Sequence, residues 1–439
     1  MLGGWKRGSG GAVRRFLAWA AVGMGGTMGF AGCGPSGGSA AVVATTDDAG
    51  AAPGAPALPD GAVDVNLAVR PDPAFPLFED SRLHEIELSM TAADWQSILD
   101  DSRGDEERHA IITYDGVVVP DVGVRPSGES SRFPGNQKMS VRVKFDAFPN
   151  HGAFGGIKEL KLKGQWDDTS MMRDRLAYFV YRSIIPAPRE GDAHLVVNGD
   201  SRGLYAIVQV WNRESITEHF QEPVGPLYRV RGGVNDPYKY LGPDANAYMP
   251  LPWEPHIDHP SRGDDVIGAF LGAMAASASN LPTVMDVDTL LGYLAATTLI
   301  MNTDGMVGDS GVEDHFQYFD PATGRFFTLP WDPDNTFGSH GEKPDRSIYT
   351  HFSHTVPTVI VRDSADLAKR YRAKIRDVIA AAPPEKVQAE ADRIYQLIKA
   401  AVYADTVKRS TNGSFDWSLG YIKDFITQRY AFVQGQAVP

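Results

Sequence analysis

Between Asp286 and Gly338 the chain prescribes four things in order: an apolar helix, a polar loop, a two-stranded hairpin and a second, acidic loop. Leu290, Leu291, Leu294, Thr298 and Met301 recur at three- and four-residue spacing, which predicts a helix over Val287–Met301. Asn302-Thr303-Asp304-Gly305 opens a loop that runs to Asp309. His315–Phe319 and Arg325–Leu329 then read as two strands about a Pro-Ala-Thr-Gly turn, and Trp331-Asp332-Pro333-Asp334-Asn335 follows. A hairpin this short returns the chain near its start, so Asp304 at one end and Asp332 with Asp334 at the other are expected to share a cleft. Asp309 and Asp314 are further acids in the same stretch and compete for either role.

The beginning of the chain has a different character. Lys6, Arg7, Arg14 and Arg15 precede a mostly apolar, Gly- and Ala-rich run from Phe16 to Phe30, too short for an ordinary membrane span and suited to a signal peptide. It ends in Phe30-Ala31-Gly32-Cys33, which resembles a bacterial lipobox with Cys33 as the lipidated residue. Residues 1–32 are thus expected to be removed. Residues 33–76, rich in Gly, Ala and Pro, then form a flexible tether to a lipid anchor in the cell envelope, at the outer membrane or cell surface. Cys33 is the sole cysteine, so no internal disulfide forms. The formal charge is −13, and losing four cations with the signal leaves −17. This balance, with no long basic run in the body, argues against a nucleic-acid partner, and the membrane is reached through the anchor alone.

A folded body is expected over residues 77–439. Leu83–Leu88 alternates as a strand, Thr91-Ala-Ala-Asp94 resembles a capping box, and Asp115-Gly116 and Asn198-Gly199-Asp200 mark tight hairpins. Val122–Arg125 and Lys138–Phe145 flank Pro126–Arg132, a loop of small residues that contains Ser130. Such a loop followed by Lys suits a phosphate cradle, with an ordinary hairpin as the plainer alternative. Thr169–Ile184 reads as an amphipathic helix, and 232–262 as a loop in which His256, Asp258 and His259 either face solvent or meet a metal. Helices are expected over Ala365–Ala381, Glu385–Tyr403 and Trp417–Phe432. The class is therefore α+β, read as bilobal and protein-kinase-like: a β-rich part (77–211), a mainly helical part (212–439) and a hinge near 204–212.

Phosphoryl transfer needs positioning and charge neutralisation more than covalent chemistry. Asp304 suits the place beside an acceptor hydroxyl, Asp332 and Asp334 suit Mg²⁺, and Arg125 and Lys138 suit the phosphates. Protein kinases show the same order of helix, loop with a proton-accepting Asp, hairpin and metal-holding Asp. Each Asp taken singly is also a common turn former, and that reading stays open.

Five pieces of the chain, over roughly residues 83 to 340, resemble the spore-coat H-type (CotH) kinase family. They are Val124–Ser131 with Lys138 and Val141–Phe145; Leu160-Lys-Leu with Asp168–Arg173; Val197–Tyr205; Asn302-Thr-Asp304; and Leu329–Gly338. The resemblance implies an atypical, secreted kinase-like protein that uses ATP and Mg²⁺ (or Mn²⁺) on Ser or Thr of a protein, and the −17 charge favours one with basic segments. It implies Asp304 as the catalytic-loop Asp, Asp332 as the metal Asp with Asp334 a second candidate, and Lys138 as the phosphate-binding Lys. Arg125 and Ser130 lie in the matching nucleotide segment. His315 stands where the family usually has an Asn that helps hold metal, and Gln209 where it usually has Glu. These departures leave two alternatives: an inactive kinase-like surface protein that binds a partner, and a metal-dependent hydrolase using Asp304, His315, Asp332 and Asp334.

Overall fold

The alternating stretches become a barrel. The computed structural model describes residues 76–438 apart from 102, 150–151, 232–235, 258–265 and 310. The signal, the tether, Cys33, Asp258 and His259 lie outside the described residues. Seven strands, β1 (Leu83–Ser89), β2 (Arg108–Tyr114), β3 (Val117–Ser127), β4 (Ser140–Lys144), β5 (Glu159–Lys163), β6 (Glu190–Val197) and β7 (Asp200–Gln209), close in the order β1-β2-β3-β4-β5-β7-β6. All neighbours are antiparallel except β1 and β6, whose parallel pairing sets Leu83 opposite Asp192 and Leu88 opposite Val197. Ile86, Leu88, Val124, Val143, Leu160, Leu162, Leu195 and Ile207 belong to the fully packed barrel core. At the β2–β3 turn Asp115 and Gly116 have φ of 48° and 83°, and at the β6–β7 turn Asn198 and Gly199 have 53° and 83°. Two successive positive φ values match the twist of the flanking strands, which explains the Asp-Gly and Asn-Gly pairs.

A second, antiparallel sheet has the order β11-β10-β8-β9, built from β8 (Leu227–Val230), β9 (Trp253–Ile257), β10 (His315–Asp320) and β11 (Arg325–Pro330). The composition of 232–262 predicts loop throughout. β9 corrects this, pairing with β8 in spite of Pro255. Of residues 204–212, where a hinge is expected, 204–209 are barrel strand, Leu204–Val208 paired with β6 and Ala206–Gln209 with β5.

The helices are α1 (Ala92–Leu99), α2 (Arg173–Arg182), α3 (Arg213–Thr217), α4 (Val266–Ala276), α5 (Leu281–Val284), α6 (Val287–Ile300), α7 (Val356–Asp363), α8 (Ala365–Ala381), α9 (Pro384–Ala404) and α10 (Asn412–Gln436). The class is α+β, β-rich first and helical towards the C-terminus. α1 starts on Thr91, whose hydroxyl accepts the Asp94 N–H at 3.0 Å. α2 begins four residues later than the pattern suggests. The Asp168 carboxylate accepts N–H groups of Ser170, Met172 and Arg173, and Met171 takes a φ of 51°. α6 is buried on nearly every side instead of along one stripe, and Met301 ends it in the left-handed conformation. It lies among α2, α8, α10 and β11. Among the described residues no helix is long and apolar enough to cross a membrane.

Candidate functional site

Helix α6 delivers the first bend of the site, and β11 delivers the second. The Thr303 N–H donates to the Asn335 carbonyl at 3.0 Å, and the Phe337 N–H to the Ile300 carbonyl at 2.8 Å. The Asn335 side-chain amide donates to the Asp304 carboxylate. Asp304 itself is aimed by its own N–H, which the Asn302 side chain accepts at 3.0 Å. The Asn302–Asp304 bend and the Asp332–Asn335 bend are therefore bonded to each other directly.

Across from them stands β5. Lys161 and Lys163 are two residues apart on a strand and so project to one face. Lys161 reaches one Asp332 oxygen at 3.0 Å, and Lys163 holds the other. Lys163 also meets Asp334 at 2.9 Å and Asp174, on the first turn of α2, at 2.5 Å. The Asp332 backbone, at a φ of 49°, donates its N–H to the Tyr178 hydroxyl at 3.0 Å. Sequence reasoning gave these two lysines no role. The signal was the alternation in Glu159-Leu-Lys-Leu-Lys163, which puts both cations on one face.

Of these groups Lys161, Asp304, Asp332, Asp334 and Asn335 line a cleft of about 1440 Å³, bounded also by Arg125, Ser130, Arg142, Arg173, Arg229 and Asp314. Arg125 is held by Glu107 at 3.1 Å, and the Ser130 hydroxyl donates to Asp167 at 2.8 Å. Of the competing acids, Asp314 lies in the cleft, ion-paired to Arg229 at 2.5 Å. Asp309 is bound to Arg346 and His351 elsewhere.

Two expected site residues are not at the cleft. Lys138 is buried, its ammonium 2.8 Å from Asp405, donating also to the Arg202 and Leu204 carbonyls and lying 4.4 Å over the Tyr205 ring. The turn from Asn136 into β4 directs it beneath β7, and its place beside the acids is taken by Lys161 and Lys163. His315 is fully buried in β10, flanked by β8 and β11. Its Nε2 bonds the Tyr238 hydroxyl at 2.6 Å and its Nδ1 the Glu313 carbonyl at 2.9 Å, so neither nitrogen faces a metal. Burial holds its pKa down at about 4. His315→Ala is expected to cost about 2 kcal/mol in urea unfolding, from the lost packing and the Tyr238 O–H proton left without its acceptor, and to leave Mg²⁺ affinity unchanged.

The electrostatics follow from crowding. Burial raises Asp332, but the ammoniums of Lys161 and Lys163 overcome it and hold the carboxyl far below the usual range. Burial raises Asp334, and the Asp332 charge adds to it against Lys163. Burial raises Asp304 too, with help from Asp334 and Asp332 and opposition from Asn335. Asp314 is pushed up to about 7 by burial and by Asp332, with Arg229 opposing. A carboxyl raised above its unfolded value binds a proton in the fold that the open chain would release. Stability from that proton is complete below about pH 4 and is lost as pH climbs to about 7. Asp314→Asn keeps the shape at a φ of 46° and removes this loss. Its urea midpoint is therefore expected to gain on the wild type between pH 5 and pH 8.

The donor set can be tested against a cation. Among the described residues no group of three or more His, Cys, Asp or Glu side chains converges as a cage. Asp332 and Asp334 converge on one point, the Lys163 ammonium. Magnesium is commonly held by one or two carboxylates together with substrate phosphates, and here both carboxylates are engaged by Lys163.

The CotH kinase protein family model matches residues 124–433, which include both bends, β5 and most of α10. The chain belongs to this family. It is 21% identical over 295 residues to the inner spore coat protein H of Bacillus subtilis (strain 168), covering 64% of this chain and 79% of that relative. The CotH match begins inside β3, so the first three barrel strands lie wholly or partly before it.

Proposed function

We propose that this chain is an atypical protein kinase, transferring a phosphoryl group from Mg²⁺-ATP to Ser or Thr of an exported or surface protein with basic segments. The reading is carried by the direct bonding of the Asp304 bend to the Asp332–Asn335 bend beneath a cation-lined cleft. Asp304 takes the proton of the acceptor hydroxyl, and its raised pKa makes it a stronger base than a free carboxylate. Asp332 and Asp334 would hold the metal, whose chemistry is to neutralise charge on the phosphate oxygens. Lys161, Lys163, Arg125 and the Ser130 loop bind and orient the phosphates. The Lys163–Asp174 pair, strand to helix, corresponds to the lysine–glutamate pair of protein kinases and supports a bilobal kinase-like arrangement. Residues 1–33 place the enzyme in the cell envelope on a lipid at Cys33.

A second reading is a binding module that retains the fold without transfer. It is favoured by the engagement of both Asp332 oxygens by lysines. The hydrolase reading loses its histidine, because His315 is spent on Tyr238 and Glu313. The purified protein with labelled ATP, Mg²⁺ and a basic Ser-rich peptide decides between the first two. Metal-dependent label on the peptide supports the kinase, and no label on any Ser- or Thr-bearing acceptor overturns it.

A further inference from the structure

The cleft has an aromatic wall that the phosphate chemistry does not use. Trp417, on the second turn of α10, is 65% exposed, the highest value among the exposed large hydrophobic residues described. It stacks on Tyr421, one turn on, with ring centroids 4.9 Å apart and planes at 27°. Both rings line the cleft that holds Asp304, Asp332 and Asp334. Tyr421 is fixed there, its hydroxyl donating to the Gly338 carbonyl at 2.8 Å. Gly338 follows Asp334 by four residues, and a chain spans at most about 3.6 Å per residue, so the anchor lies within about 14 Å of the Asp334 backbone. The wall continues through Arg409, whose guanidinium lies 5.6 Å over Trp166 and pairs with Asp167 at 2.8 Å. Asp167 also receives the Ser130 hydroxyl.

We propose that Trp417 and Tyr421 form the stacking ledge for the purine base of the nucleotide, an inference that rests on the nucleotide reading above. A ring two-thirds exposed in a strongly charged cleft calls for a partner that is both flat and polar. A nucleobase is flat enough to stack and carries polar edges that stay hydrated. Ribose and triphosphate bridge the span from such a ledge to the carboxylates. Arg409, Asp167 and Ser130, in the loop that faces the phosphates, line the same cleft as the ledge.

Calorimetric titration of the full chain in Mg²⁺ with ATP and with inorganic tripolyphosphate separates base from phosphate. ATP is expected to bind the wild type more tightly than tripolyphosphate. Trp417→Ala is expected to weaken ATP roughly tenfold, in line with base–aromatic stacking, and to leave tripolyphosphate unchanged, with Trp417→Phe recovering most of the loss. Equal binding of the two ligands with no effect of Trp417→Ala overturns the ledge and leaves the kinase reading standing. Loss of peptide labelling with ATP affinity intact also overturns it, assigning the wall to the acceptor. Failure of both ligands to bind overturns the ledge together with the nucleotide reading.

Discussion

Asp304→Asn is expected to lower phosphoryl transfer to a peptide by about 10³-fold, with the fold intact and nucleotide affinity within a factor of about two. Asparagine has the size of aspartate and can still accept from the Asn335 amide, so the bond between the two bends survives. What it lacks is a site for the hydroxyl proton. Because Asp304 is raised by burial beside Asp334 and Asp332, removing its charge relieves repulsion and does not weaken the metal pair. The defect should therefore sit in kcat with KM for ATP nearly unchanged. Asp332→Asn gives the contrasting pattern. It takes a charge from between Lys161 and Lys163, so the Mg²⁺ needed for half-maximal activity should rise at least tenfold. Steady-state kinetics over ATP and Mg²⁺ distinguishes the two variants. Wild-type turnover in Asp304→Asn removes this aspartate from the chemistry. A defect seen only in KM for ATP gives it a binding role instead.

The parts of this site legible in the sequence are those fixed by neighbours in the chain. The β10–β11 hairpin declared itself through alternation and its Pro-Ala-Thr-Gly turn, and the two bends at its ends followed from hairpin geometry. What could not be read depends on partners far along the chain. β1 pairs with β6 about a hundred residues later, so closure of the barrel has no local signature. The burial of His315 depends on β8, which flanks β10 on the side opposite β11 and comes some 85 residues earlier. The exchange of Lys138 for Lys161 and Lys163 has the same origin. Sequence shows which lysines share a strand face, but which strand borders the cleft is decided by barrel order. β9 was hidden by Pro252 and Pro255, whose rings remove the backbone donors that a strand normally advertises.

Lys138, displaced from the cleft, points to the largest effect on stability. Asp405→Ala is expected to cost about 3–5 kcal/mol in denaturant unfolding, the usual penalty for removing one member of a buried ion pair. Both side chains are shut away from solvent, at 1% and 0% exposure. Asp405 also accepts the backbone N–H groups of Leu204, Val407 and Lys408 at 3.1, 3.0 and 2.9 Å, so it ties β7 to the segment after α9. Gly203 faces it so closely that an added Cβ would sit 2.0 Å from the Asp405 Cγ, which leaves no room for the barrel to rearrange around a substitute. Burial draws the Lys138 ammonium down to about 8, with Asp405 opposing, and without Asp405 it falls further. A lysine depressed in the fold binds fewer protons there than in the open chain, so its penalty eases as pH rises. The Asp405→Ala deficit should accordingly narrow between pH 6 and pH 8. Lys138→Met combined with Asp405→Asn removes the stranded charge and keeps an acceptor oxygen for the Val407 and Lys408 N–H groups, while the Leu204 N–H loses its acceptor, and should recover part of the loss. A deficit below about 1 kcal/mol for Asp405→Ala, or one that widens with pH, would show that this pair does not hold the barrel to its helices.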